Sequence, residues 1–405
     1  MKFLSKLIVF VIFASVFVIV IAYARGYRFD FGKKSMTPTG IISFSSDPQA
    51  AKIFVDGQLR GVTNTNMTLP PGDYKIDIKK DGYTSYSKQI VLKGELVASI
   101  NALLFSLNPT LSPLTNIGLI KAVPVDNTQK IIIFVDKGPD NQSDQKNGIY
   151  LFDSSRQSLP FFAPLSTVIL KSNLPTDVDF STASVDISPD AKEAIFNFKN
   201  GDTPVSYLLS LTSENTSTFD ITDSKAVLLS AWDKQKADDN SKILETFPPD
   251  FAKIASDSVN VVSFSPDENK LLYQAKENFS LPPMITPPLI ATNQTPEQRN
   301  ILKDKLYVYD KKEDKNYEIT NFTPSVSDTS IDQSVQWYPD SSHLIINQSK
   351  KVVVVDYDDT NLRTIYSGPY EKDFLTVTPD GQLITLTNLN PVVNKWPDLY
   401  LVGTR

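Results

Sequence analysis

The stretch FSPDENKLLY, residues 264–273, has three relatives in the chain: ISPDAKEAIF at 187–196, WYPDSSHLII at 337–346 and VTPDGQLITL at 377–386. A catalytic loop would occur once, so recurrence points first to architecture. Each copy runs from an aliphatic or aromatic residue through Pro-Asp and a few polar residues into an apolar run. Proline fixes one backbone angle at the entry to a turn, and the aspartate carboxylate can accept hydrogen bonds from the next free amides. The polar residues then face water while the following strand enters a sheet. These are hairpin instructions, and they make Pro189, Asp190, Pro266, Asp267, Pro339, Asp340, Pro379 and Asp380 structural turn residues.

Working outward, each copy belongs to a longer unit in which a strand bearing Tyr-Asp or Val-Asp and a short strand ending in Thr or Ser come later. FSPDENKLLYQ joins KLYVYDKKEDKNYEIT at 305–320, ISPDAKEAIFNF joins VSYLLSLTSENTSTFDIT at 205–222, and WYPDSSHLIINQ joins KVVVVDYDDTNLRTIY at 351–366. A fainter copy runs from VPVDNTQKIIIFVD at 123 to GIYLFDSSRQSLPFF at 148–162, and VTPDGQLITL pairs with LYLVG at 399–403. Units of about 40 residues that cannot bury their own sheet faces make sense as blades of a closed β-propeller. The pattern resembles TolB-like or WD40-like propeller repeats, whose usual form is S-P-D-G followed by an apolar strand. Gly381 keeps the glycine, while Ala191, Glu268 and Ser341 replace it. The resemblance covers 115–405, most clearly from 183 onward. Spacings of 77, 73 and 40 between the Pro-Asp pairs leave room for either a further blade or insertions, so five or six blades are expected. Residues 223–260 are a candidate blade without the motif. Residues 277–300, with Pro282-Pro283 and Pro287-Pro288, read as an insertion loop, either an extended recognition arm or a mobile excursion.

Upstream the period is again that of strands. GIISFSSDP at 40–48 and AKIFVDG at 51–57 end at turn signals, and DYKIDIKK at 73–80 sets Tyr74, Ile76 and Ile78 against Lys75, Asp77 and Lys79. Asp56-Gly57, Pro71-Gly72 and Asp81-Gly82 mark the turns, because glycine tolerates the left-handed backbone that tight turns need. Val55-Asp56-Gly57, Pro71-Gly72-Asp73-Tyr74 and Asp81-Gly82-Tyr83, in that order, resemble the PEGA domain, a small extracytoplasmic β-module. Its eponymous tetrapeptide reads Pro48-Gln49-Ala50-Ala51 here. The resemblance implies a small β-sandwich over 38–107 with an accessory, non-catalytic role.

At the N-terminus, residues 7–24 carry no charge for eighteen positions, between Lys2 and Lys6 on one side and Arg25 and Arg28 on the other. As a helix this rises about 27 Å, enough for a bilayer core. It reads as an uncleaved anchor over 1–24, or as a signal peptide with Ala22-Tyr23-Ala24 as a cleavage site; the length favours the anchor. Residues 25–37 follow as a juxtamembrane spacer, and the bulk of the chain is expected outside the cytoplasm.

Composition narrows the chemistry. A net charge of -6 with no basic block beyond the first 34 residues argues against nucleic acid. The chain has no cysteine, which excludes disulfides, thiolate chemistry and Cys-ligated zinc. His343, the one histidine, lies in SSHLIIN and is expected on the polar side of a strand. No G-x-S-x-G elbow and no glycine-rich phosphate loop occur. The acidic runs DNQSD at 140–144 and DYDDTN at 356–361 lack the central Gly and distal Glu of a full calcium loop and read as solvated turns. The fold class is therefore all-β: an N-terminal helix, a small sandwich and a propeller. The function expected is non-enzymatic binding or scaffolding in a bacterial cell envelope, with propeller loops on a protein or cell-wall glycan and no cofactor. The alternative is an extracytoplasmic hydrolase with carboxylates gathered at the channel.

Overall fold

A computed structural model describes residues 2–404 apart from 25, 31–34, 127, 139–145, 157–163, 176–177, 202, 291, 321, 323–333 and 349. The acidic run at 140–144 lies outside the described residues. The chain forms two compact units, Met1–Leu107 with Ile285–Pro296, and Asn108–Met284 with Glu297–Thr404.

The first unit opens with helix α1 (Lys2–Ala24), whose stretch Lys6–Tyr23 is long and apolar enough to cross a membrane and has no buried residue. A two-stranded ladder, Arg28–Asp30 with Ser35–Thr37, follows, and then two larger sheets. One orders Thr65–Leu69, Gly40–Asp47 and Val97–Leu103, the last two parallel; the other orders Gln58–Val62, Lys52–Val55, Gly72–Lys79 and Tyr86–Leu92. Alternation works as the physics of a half-buried strand requires: Ile76 and Ile78 enter a core with Ile42, Phe44, Ile53 and Ile100, while Lys75 and Lys79 stay exposed. Asp56 and Gly57 make the two-residue turn between Lys52–Val55 and Gln58–Val62 with φ of 49° and 78°. The Asp56 carboxylate accepts from the Lys75 amide at 2.9 Å. Pro71 precedes Gly72, where the next strand starts, and Tyr74 donates its hydroxyl to the Pro70 carbonyl at 2.9 Å. Gly82 sits at φ 83° after Asp81, whose carboxylate meets Lys52 at 3.1 Å. In the same unit the Gln294 side chain stands in for a peptide group, accepting from the Val91 amide and donating to its carbonyl at 2.9 Å.

The second unit contains, among the described residues, five four-stranded antiparallel sheets in a propeller-like arrangement. Sheet 1 is Lys121–Pro124, Lys130–Val135, Gly148–Asp153 and Leu165–Leu170; sheet 2 is Ser184–Ile187, Glu193–Asn200, Thr203–Ser210 and Phe219–Asp220. Sheet 3 is Val259–Phe264, Lys270–Ala275, Leu306–Asp310 and Lys315–Glu318; sheet 4 is Val335–Trp337, His343–Asn347, Val352–Asp356 and Arg363–Tyr366. Sheet 5 takes Leu375–Val377, Leu383–Thr387 and Asp398–Gly403 and is completed by Thr110–Pro113, so the first and last strands of the unit share one ladder. Middle strands read as continuous apolar runs because both faces are covered. Ile132 and Phe134 join Phe196 and Phe198 on one side, while Ile131 and Ile133 join Ile384 and Leu399 on the other. Sheets 3 and 4 meet likewise through Leu272, Val308, Leu344 and Val355.

Residues 223–260 are not a blade. They form helices α2 (Lys225–Leu244) and α3 (Pro249–Ser258), so the unit departs from pure β structure. The segment KAVLLSAWDKQKADDNSKIL holds good helix formers and no Gly or Pro, and α3 starts with Pro249 and carries Asp250 in its first turn. Trp232 of α2 packs with Ile195 and Ile221, and Phe251 of α3 stacks on Tyr309 at 3.7 Å between centroids.

The segment 277–300 has a built stem. Phe279–Ser280 pairs with Asn300–Ile301, and buried Asp314 fastens both sides of it. Its carboxylate accepts from the Met284 amide at 2.7 Å, from the Tyr309 hydroxyl at 3.1 Å and from the Arg299 guanidinium at 3.3 Å.

Candidate functional site

The Pro-Asp residues sit in the turns that leave the first strand of sheets 2, 3, 4 and 5, and their geometry repeats. In sheet 3 the Ser265 hydroxyl donates to Asp267 Oδ1 at 2.7 Å and accepts from the Lys270 amide at 2.9 Å. Asp267 Oδ1 also accepts from the Asn269 amide at 3.2 Å, and Oδ2 from the Asn269 side chain at 2.6 Å. Sheet 2 repeats this with Ser188 on Asp190 at 2.8 Å and the Lys192 amide on the same oxygen at 3.2 Å. In sheet 5 the Thr378 hydroxyl binds Asp380 and takes the Gln382 amide at 3.0 Å. The residue after the aspartate must turn left-handed: φ is 55° at Ala191, 56° at Glu268, 59° at Ser341 and 80° at Gly381. That requirement explains the glycine in the usual form of the motif. Pro189, Pro266, Pro339 and Pro379 precede the aspartates.

Sheet 4 breaks the pattern informatively. Tyr338 stands where the others have Ser or Thr, and the missing hydroxyl is replaced by His343. Asp340 Oδ1 accepts from the Ser342 and His343 amides at 2.9 and 3.2 Å, and Oδ2 meets His343 Nδ1 at 2.6 Å. The other ring nitrogen, Nε2, lies 3.3 Å from Asp356 Oδ1. Asp356 Oδ2 in turn accepts from Asn361 at 2.9 Å and Thr360 at 3.3 Å, which is where the acidic run 356–361 uses its polar groups. His343 is 5% exposed, which corrects the expected solvent-facing placement. A short polar-looking context hid a strand whose residues are buried. Burial works against the imidazolium, but hydrogen bonds and attraction from Asp340 and Asp356 outweigh it and push His343 up to about 10. Asp340 is held below the usual carboxylate range: burial opposes this, and the bond to His343 prevails. With both ring nitrogens engaged and the ring protonated, no lone pair is left for a base or a metal.

The same register position carries a cation against a carboxylate elsewhere. His343 pairs across the ladder with Asp356, Lys270 with Asp310 and Lys130 with Asp153. Lys270 is buried, 3.7 Å from Asp310 and 4.7 Å from the Tyr357 ring centre. Sequence reasoning missed these pairs. The signal was present as a basic residue three or four positions after the turn aspartate and an Asp closing the third strand.

The turns of neighbouring sheets touch. The Asp267 amide donates to Ser341 Oγ at 3.0 Å, and the Tyr338 hydroxyl donates to the Gly381 carbonyl at 3.3 Å. Gln336, on the first strand of sheet 4, donates to the Leu375 carbonyl and accepts from the Val377 amide, both at 2.9 Å, bridging to the first strand of sheet 5. Lys121 of sheet 1 donates to the Ala183 carbonyl just before sheet 2. The turns of sheets 3, 4 and 5 thus interlock at one end of their first strands. Among the described residues no group of three or more His, Asp or Glu is arranged to hold a metal ion.

Residues 39–105 match the PEGA domain family, so this part of the chain is a PEGA domain. No curated protein matches the chain. Among solved structures, a TolB from Agrobacterium tumefaciens is similar at 11% identity, with 75% of this chain and 74% of that one covered and a TM-score of 0.22. TolB from Acinetobacter baumannii is similar at 10% identity with a TM-score of 0.21; 81% of this chain is covered, and it spans 59% of that one. The β-propeller domain of the Trilobed protease from Pyrococcus furiosus is similar at 10% identity, with 93% and 88% covered and a TM-score of 0.20.

Proposed function

We propose that this chain is a membrane-tethered binding or scaffolding protein of a bacterial cell envelope, without catalytic activity. Its larger unit is read as a closed five-bladed propeller whose loops contact an envelope protein or a cell-wall glycan. Helix α1 anchors the chain, and the PEGA domain and the propeller lie outside the cytoplasm. One observation carries the reading. The aspartates that the repeats bring to the ends of the first strands, Asp190, Asp267, Asp340 and Asp380, accept hydrogen bonds within their own turns. A general acid needs a carboxyl held above its usual range. Asp267 moves the other way: burial raises it, but bonds from Asn269 and Ser265 prevail and lower it. Asp190 is lowered by Ser188 and the Lys192 amide. These are aspartates built to stay ionised as acceptors.

The test is photocrosslinking of the full-length chain in native envelopes, with the reactive group on exposed loops of the larger unit, followed by incubation with purified cell wall. A discrete crosslinked partner and unchanged cell wall support the reading. Release of soluble fragments that disappears in Asp267→Asn or Asp340→Asn would replace it with the hydrolase.

A further inference from the structure

The loop 388–397, NLNPVVNKWP, joins two strands of sheet 5 and has no part in the interlocked turns. Its tip is wound tightly. The Asn390 amide donates to Asn388 Oδ1 at 3.2 Å, the Asn388 side chain donates to the Asn394 carbonyl at 2.8 Å, and the Val393 and Asn394 amides both return to the Asn390 carbonyl. This ordering holds apolar side chains out of the core: Val392 is 94% exposed, Val393 75% and Leu389 47%. Two adjacent aliphatic β-branched side chains on a preordered tip make a small contiguous apolar patch, which is the kind of exposure that marks an interaction site. At the base of the loop, Trp396 lies over Gly118, where a Cβ would stand 3.2 Å from the Trp396 Cβ, and the Lys395 ammonium sits 4.7 Å from the indole centre.

The charge of the loop selects its occupant. No Asp or Glu occurs between 388 and 397, whereas the chain as a whole carries -6. The next acid, Asp398, is turned inward, accepting from Thr115, Ile117 and Gly118 at 2.9, 2.9 and 3.0 Å. An aliphatic tip followed by a Lys and a Trp, in a loop without acid, is the side-chain order of the lipid–water interface: apolar groups in the acyl boundary, the indole at headgroup level and the cation among anionic headgroups. We propose that this loop dips into the surface of an anionic bilayer, giving the protein a second, shallow membrane contact. The inference rests on the anchoring role of α1 proposed above, since a tether raises the effective concentration enough for so small a tip to bind.

The absence of cysteine makes the test direct. Single variants Val392→Cys, Phe17→Cys and Val227→Cys of the full-length chain, each bearing an environment-sensitive nitrobenzoxadiazole label, are reconstituted into phosphatidylcholine vesicles with and without phosphatidylglycerol. Val227 on α2 is 75% exposed and serves as the aqueous reference. With anionic lipid, the label at 392 is expected to shift to the blue. Lipids spin-labelled near the headgroup should quench it at least about threefold more than the label at 227. Adding Lys395→Glu should remove most of the dependence on phosphatidylglycerol. If 392 behaves like 227 while 17 is quenched by deep acyl spin labels, the loop proposal is wrong and the anchor stands. Quenching at 392 but not at 17 would remove the tether on which the loop contact depends and overturn the proposal in this form. A blue shift at 392 that lipid spin labels do not quench, and that grows with the density of chains, means contact between copies and overturns the proposal.

Discussion

His343 is a cation clamped between Asp340 and Asp356 by both of its ring nitrogens, and that arrangement fixes how the protein responds to pH. Its folded-state value, about 10, stands above the ordinary 6.5. The folded state therefore holds the proton more tightly, and the stabilisation is fully present below pH 6.5 and lost as pH rises through about 10. The stability difference between the wild type and His343→Gln, measured by urea denaturation, should be level in mild acid and shrink steadily between those limits. A difference independent of pH across that window would mean that the ring acts by shape alone. The left-handed residues give a second prediction. A β-carbon at such a backbone costs roughly 1 kcal/mol, and about half of that is returned by the extra freedom glycine has when unfolded. Glu268→Gly should therefore stabilise by a few tenths of a kcal/mol up to about 1. Ser341→Gly relieves the same strain but removes the oxygen that accepts the Asp267 amide, so it should gain nothing or lose. Equal gains at both positions would show that the contact between turns contributes nothing. The turns themselves were legible in the sequence because Pro, Asp and the left-handed residue act within four positions of one another. The cation–carboxylate pairs were not, since Lys270 and Asp310 become neighbours only when a ladder forms across forty residues.

At the scale of elements, strands were readable where apolar runs ended at turn signals, and the PEGA domain was readable because several turn pairs fell in order. Helices α2 and α3 were hidden by the repeat. The gap between Pro-Asp copies invited a blade over 223–260, although the local composition of Ala, Leu, Lys and Gln favours a helix. What a repeat demands and what a segment prefers are separate constraints, and here the segment won because its helices find their own sites on the sheets. Phe251 is the contact to test. It is 1% exposed and stacked on Tyr309, so Phe251→Ala should destabilise the chain by about 3–5 kcal/mol. A loss below about 1 kcal/mol would mean that α3 is merely draped on sheet 3. Gly148 tests strand packing in sheet 1. A Cβ there would stand 2.7 Å from the Ile169 carbonyl oxygen and 3.2 Å from the Leu170 Cα, both backbone atoms, just before the register shift at Ile149/Tyr150. Gly148→Ala should cost about 1–3 kcal/mol, because backbone cannot step aside as a side chain can. An unchanged denaturation midpoint would place the partner strand farther away than it lies here.

For the larger unit as a whole, the decisive feature is that Thr110–Pro113 and Asp398–Gly403 lie side by side in sheet 5. Strands from the two ends of this unit share one ladder, so each edge depends on the other. Asp398 reinforces the closure by accepting from the Thr115 hydroxyl and from the Ile117 and Gly118 amides. Removing 398–404 would strip Thr110–Pro113 of its partner and leave Leu383–Thr387 open along one edge. It would also withdraw Leu399 from the core shared by sheets 1 and 5. The loss should therefore be global rather than local. Hydrogen exchange is expected to quicken in sheet 1 and across 110–113 and 383–387 together, and the urea transition should broaden as two-state behaviour fails. Supplying 398–404 as a separate peptide should restore part of the protection, since the edges it leaves remain complementary to it. If exchange quickens only at 383–387 while sheet 1 keeps its protection, each sheet stands by itself, and the closed propeller proposed above gives way to a row of independent sheets.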